Sequence, residues 1–134
     1  MTRYPLATCH AVYKILFNQS YPFSYDLREL GDYYLGYRRL MEHWHRHLPG
    51  QILDVSYEQL VLEPRQELQR VLEFCGLSWE GQCLRFHDQP GAVTTASAAQ
   101  VRKPIYQSSL HLWRHYEREL APLARQLESG GLML

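Results

Sequence analysis

The feature that most restricts what this chain can fold into is the stretch 51–77, QILDVSYEQLVLEPRQELQRVLEFCGL. It opens on Ile52, Leu53, Val55 and Tyr57, a short apolar run whose β-branched and aromatic content predicts a buried strand of an α/β sheet. A turn and a helix follow. Glu63-Pro64 suits a helix start, because proline at the first helical position gives up only an amide that has no partner there. Leu68, Val71, Leu72 and Cys75 recur at helical spacing, and Gly76 stands where a left-handed C-terminal cap belongs. Ligands of open α/β sheets gather beyond the carboxyl ends of strands, an edge that here carries Tyr57 and Glu58. A lone buried strand, however, has backbone donors and acceptors along both sides, and no second convincing strand is present. Either its neighbours come from a missing segment or another chain, or residues 52–57 are no strand and the molecule is a helical bundle.

The remaining elements read as helices. Residues 1–17 predict a strand end or loop running into a helix with Pro5 in its first turn and Leu6, Cys9, Val12, Tyr13 and Leu16 on one face. Asp26 and Glu29 make a D-x-x-E capping pattern that opens the longest helix, with Leu27, Leu30, Tyr34, Tyr37, Met41, Trp44 and Leu48 as its stripe and Pro49-Gly50 as its stop. Ser78 and Glu80 can begin a short helix. The stretch 88–100, DQPGAVTTASAAQ, is small and polar and reads as a loop. Ser108 or Ser109 then caps a last helix carrying Leu110, Trp113 and Leu120, with Pro122 as a possible kink and a tail, 128–134, that is expected to fray.

Composition removes several function classes. Fourteen basic residues balance fourteen acidic ones, so no global field argues for nucleic acid or an anionic membrane, and any bound anion must be met by local charge. No apolar run approaches the roughly 20 residues that span a bilayer. Three cysteines without a CxxC pair argue for buried thiols in a reducing compartment, and with no signal peptide the expected location is cytoplasmic. His43 and His47 share a helix face at the spacing of zinc ligands, yet two further ligands are lacking nearby; surface imidazoles near a helix C-terminus are the simpler reading, and no metal site is expected.

There is no GxxxxGK[ST], GxGxxG or GxSxG. Three separate features instead suit an anionic nucleotide: Arg3 at a helix mouth, Tyr57 at the predicted strand end, and the segment Ser97 to Lys103 with hydroxyls and two cations. A guanidinium beside unpaired helix amides can hold a phosphate, and an aromatic can cover a base or donate its hydroxyl.

Four stretches in succession, RYPLATCHAVY, DLRELGDYYLGYRRLMEHWHRHLPGQILDVSYEQLVLEP, LEFCGLSWEGQCLRFH and TASAAQVRKPIYQSSLHLWRHY, make the chain resemble the carboxy-terminal part of the sulfotransferases that use 3′-phosphoadenylyl sulfate (PAPS). The resemblance is to the branch with tyrosylprotein sulfotransferases and bacterial tetratricopeptide-repeat relatives, and it runs from about Arg3 to about Leu127. It implies an α/β fold class, namely the mostly helical carboxy-terminal part (1–127) of a P-loop-type sulfotransferase fold with one clear strand of the parallel sheet. By the same resemblance Arg3 grips the cofactor's 3′-phosphate, Tyr57 in SYEQL lies against the adenosine, and Ser97, Arg102 and Lys103 match the late cofactor-binding loop. Ala11 stands where the family places a serine that shares the phosphate. The loop that binds the 5′-phosphosulfate and the catalytic base have no counterpart in these residues, so no catalytic residue is assigned. The expectation is a chain that binds PAPS or adenosine 3′,5′-bisphosphate, is inactive alone, and needs an amino-terminal half or partner chain to complete the sheet. The alternative is a non-catalytic helical interaction module, in which Arg102 and Lys103 are solvated charges.

Overall fold

A computed structural model describes residues 1–15, 17, 20–88 and 105–134. Among them the α-helices run α1 (Pro5–Tyr13), α2 (Leu27–His47), α3 (Tyr57–Leu62), α4 (Pro64–Phe74) and α5 (Glu117–Ser129), with 3-10 turns at Pro22–Tyr25, Gly81–Asp88, Ser108–Leu110 and Leu112–Tyr116. The chain divides into a helical unit, residues 3–52 and 110–134, and a second unit, residues 1–2 and 53–109.

The helical unit is built on α2. Asp26 accepts hydrogen bonds on its carboxylate from the amides of Arg28 and Glu29, at 2.8 and 3.0 Å, which satisfies two donors the first turn would leave open. The first half of α2 buries Leu30 and Tyr34, α1 adds Leu6 and Cys9, and α5 adds Leu120, Leu123 and Leu127. Each fully buried leucine stabilises the fold by roughly 1.5–3 kcal/mol relative to an exposed one, so these residues dominate the unit's energetics. Gly31 permits a close approach. A Cβ there would stand 2.5 Å from Gln126 Oε1, and Gln126 uses the space to donate to the Arg28 carbonyl at 3.0 Å and the Asp32 carboxylate at 2.8 Å.

The predicted apolar stripes hold only in part. Trp44 on α2 is exposed, as is Tyr13 on α1, where His10 is buried instead. The last helix begins at Glu117, after two 3-10 turns, rather than at a Ser108 or Ser109 cap. For segment 128–134 fraying was expected; there the Leu132 amide donates to the Leu127 carbonyl at 3.1 Å, and Leu132 and Leu134 lie against the core.

The second unit corrects the predicted strand. No strand is found among the described residues; the run 52–57 contributes a single parallel bridge, Thr2 to Ser56. In it the Thr2 amide donates to the Val55 carbonyl at 2.7 Å and the Tyr57 amide to the Thr2 carbonyl at 2.8 Å. Two physical reasons stop the ladder there. Ser56 Oγ accepts from the Gln59 amide at 3.3 Å and so caps α3, which turns the backbone into a helix at Tyr57. The opposite edge is occupied by side chains of α4. Arg70 Nη2 donates to the Asp54 carbonyl at 2.6 Å, and the dipole of the Ser56 amide helps to hold the Glu67 carboxyl below its ordinary value. Backbone groups of alternate residues point to alternate sides of an extended chain, so Thr2 serves one side and the Glu67–Arg70 pair the other.

Glu67 and Arg70 also bind each other, with Arg70 Nε donating to Glu67 Oε2 at 3.0 Å and Nη2 to Oε1. This explains why the buried residue of α4 is Glu67, while Leu68, Val71 and Leu72 are half-buried and Cys75 exposed. The predicted cap is present, with Gly76 at φ 69° and the Leu77 amide donating back to the Leu72 carbonyl at 2.8 Å. No helix among the described residues is long and apolar enough to cross a membrane.

Candidate functional site

Tyr57 is the best-defined of the residues that the sequence singles out. It is the first residue of α3 rather than the last of a strand, and it is fixed at both ends. Its amide donates to the Thr2 carbonyl, and its hydroxyl lies 2.7 Å from Ser109 Oγ, a hydrogen bond spanning 52 residues. Neighbouring Glu58 is turned inward to the cap, its carboxylate accepting from Ser56 Oγ at 3.2 Å. The Tyr-Glu pair thus divides its work. The acid braces the start of the helix, and the phenol is held half-buried at the surface of the unit.

Arg3 belongs to the helical unit, half-buried two residues before the Pro5 that opens α1. Its field reaches His10, which is buried. Burial first, then the charges of Lys14 and Arg3, hold the imidazole below its ordinary value of 6.5. His10 is therefore neutral at pH 7, and its ring packs on Tyr116 at a centroid distance of 4.8 Å. Arg3 precedes the amino-terminal turn of α1 and Lys14 caps its other end, and both charges reach His10 between them. Cys9, fully buried beside them in sequence, has its thiol pushed up to about 12 by burial and is no nucleophile at neutral pH. Ala11 is half-buried on the same helix.

Ser97, Arg102 and Lys103 lie outside the described residues. Arg3 and Tyr57 fall in different units. The rings of His43 and His47 approach to 4.3 Å, but no group of three potential metal ligands occurs among the described residues. Sequence reading missed Thr2, Ser109 and the Glu67–Arg70 pair. One signal is available: Ser56-x-x-Gln59 is a capping-box pattern, and it marks a further short helix from Tyr57, ahead of the one that starts at Pro64.

Comparison with known proteins gives the family. The model of the sulfotransferase family matches residues 1–81, more than half of the chain, and includes both Arg3 and Tyr57. An uncharacterized protein of Aquifex aeolicus is 44% identical over 108 residues, which is 81% of this chain and 14% of that protein. Protein-tyrosine sulfotransferase 2 of Gallus gallus is 37% identical over 68 residues, 46% of this chain and 18% of that protein. The chain belongs to the sulfotransferase family, and it spans less than a fifth of the length of either relative.

Proposed function

We propose that this chain forms the nucleotide-gripping part of a sulfotransferase that moves a sulfuryl group from PAPS to an acceptor hydroxyl. The observation that carries the reading is Tyr57, inside the family match and tied at both its amide and its hydroxyl. A rigid aromatic costs little further entropy to bind against, which suits it to the adenosine. Arg3 serves the 3′-phosphate with forked, permanently charged donors, and Ser97, Arg102 and Lys103 add a hydroxyl and two cations. These residues supply binding and charge. Activation of the acceptor and the cradle of the 5′-phosphosulfate come from residues beyond this set, so the 134 residues alone are inactive. The likeness to a protein-tyrosine sulfotransferase favours a tyrosine hydroxyl as acceptor.

Isothermal titration of the chain with adenosine 3′,5′-bisphosphate tests this. Saturable binding is expected, and Arg3→Ala or Lys103→Ala weakens it by about tenfold or more, the loss of a charge-assisted hydrogen bond. A folded chain that gives only the heat of dilution contradicts the reading. It would instead favour a non-catalytic interaction module, for which the exposed Tyr33, Leu40 and Trp44 of α2 offer an apolar face.

A further inference from the structure

The hydrogen bond between Tyr57 and Ser109 does more than close a loop. Within its unit, restraints of different kinds act on Tyr57. Its backbone is in the first turn of α3 behind the Ser56 cap, its amide is bonded to Thr2, and its hydroxyl is bonded to Ser109. A tyrosine has two side-chain torsions. With the backbone held and the hydroxyl anchored, the first is determined, so the place and axis of the ring are settled before any ligand arrives, while the second only turns the ring about that axis. Remove the anchor at the tip and the backbone restraints remain, but the ring axis loses the hydrogen bond that fixes its far end.

We propose that Ser109 is a positioning residue for nucleotide binding, acting through the Tyr57 phenol and needing no contact with the ligand. The inference rests on the proposed function, in which Tyr57 meets the adenosine of the cofactor. Its energetic logic is preorganisation: a contact surface ordered by the fold does not have to be ordered by the ligand. The chemistry at position 109 is narrow. The partner must carry a hydrogen-bonding oxygen near 2.7 Å from the phenol, which serine provides and threonine can provide, while alanine cannot.

The test uses the whole chain, with adenosine 3′,5′-bisphosphate as the probe in isothermal titration. Ser109→Ala and Tyr57→Phe should each weaken binding about five- to tenfold, the cost of ordering one side chain on binding. The double variant should be no weaker than the worse single one, because both changes delete the same bond. Ser109→Thr should bind within about twofold of the unaltered chain, a rescue that separates loss of the bond from damage to the fold. Circular dichroism of each variant without nucleotide checks that the helices persist. If the unaltered chain binds and Ser109→Ala binds equally well, or the two single losses add in the double variant, Ser109 is not a positioning residue while the nucleotide site stands. If the unaltered chain does not bind at all, the proposed function falls and this inference with it.

Discussion

The two units of this chain are held together by different forces. In the helical unit, leucines from α1, α2 and α5 enclose a cluster that includes Cys9 and Tyr34. In the second unit, the buried residues among those described are Val61 and Glu67, and the organising contacts are polar. Thr2 serves one edge of the segment before α3, the Glu67–Arg70 pair serves the other, and Ser109 anchors Tyr57. Apolar burial is undirected and scales with area, so it produces a robust core that tolerates rearrangement. Hydrogen bonds are weak in net terms but directional, so they set the attitude of a particular side chain. Under the proposed function, in which Tyr57 meets the adenosine, the second unit gains more from the second kind of contact.

The sharpest way to break this contrast is to truncate the buried apolar residues of each unit. Leu123→Ala should cost about 3 kcal/mol in urea unfolding, because Leu123 is almost wholly enclosed and its loss leaves a cavity. Val61→Ala should cost about 1.5 kcal/mol, the transfer of two methyl groups. Equal losses would mean that the second unit has an apolar core of similar weight.

Gly31→Ala sharpens the account of the helical unit. Alanine gains about 1 kcal/mol of helix propensity, but the new methyl displaces Gln126 from two hydrogen bonds worth about 1 kcal/mol each, leaving a net loss of about 1 kcal/mol. In a Gln126→Ala background the sign should reverse and Gly31→Ala become stabilising, a result readable in the same urea midpoints.

A smaller effect marks the second unit, recognisable by its dependence on pH. The hydrogen bond from Arg70 holds the Glu67 carboxyl below its ordinary value of 4.5, with the Arg70 charge and the Ser56 amide adding to it. A carboxyl depressed in the folded state contributes stability that is complete above 4.5 and disappears as pH falls through the lower, folded value. Glu67→Gln should therefore be less stable than the unaltered chain at pH 7, and the two urea midpoints should converge as the pH is taken down to about 2. A gap that stays constant with pH would show that the carboxylate charge plays no part.

How much of this was legible in the sequence follows the same division. The Asp26 cap, the Gly76 stop, the Pro5 and Pro64 helix starts and the core positions Leu30, Tyr34 and Leu120 were all readable, because helical periodicity and end signals are local. The run 52–57 was misread as a strand because apolar, β-branched residues at short range do not reveal where a neighbour ends. The Ser56-x-x-Gln59 cap, which was local, was overlooked. The Tyr57–Ser109 bond and the two-sided bracing by Thr2 and Arg70 join residues 52, 53 and 16 positions apart. No periodicity encodes such pairs. Arg3 and Tyr57 stand out by their places at a helix mouth and after an apolar run, and the resemblance to the family adds their roles, whereas Ser109 stands out only as a helix-cap candidate.

Amide hydrogen exchange with and without adenosine 3′,5′-bisphosphate tests the central claim most directly, because it reads both units in one sample. Without nucleotide, amides of α2 and α5 such as Leu30 and Leu123 should be the slowest to exchange, and the Tyr57 and Gln59 amides clearly faster. Saturating nucleotide should slow Tyr57 and Gln59 by about tenfold or more while leaving Leu123 limited by global opening. Exchange at Tyr57 that matches Leu123 in the free chain and does not respond to the nucleotide would contradict the account.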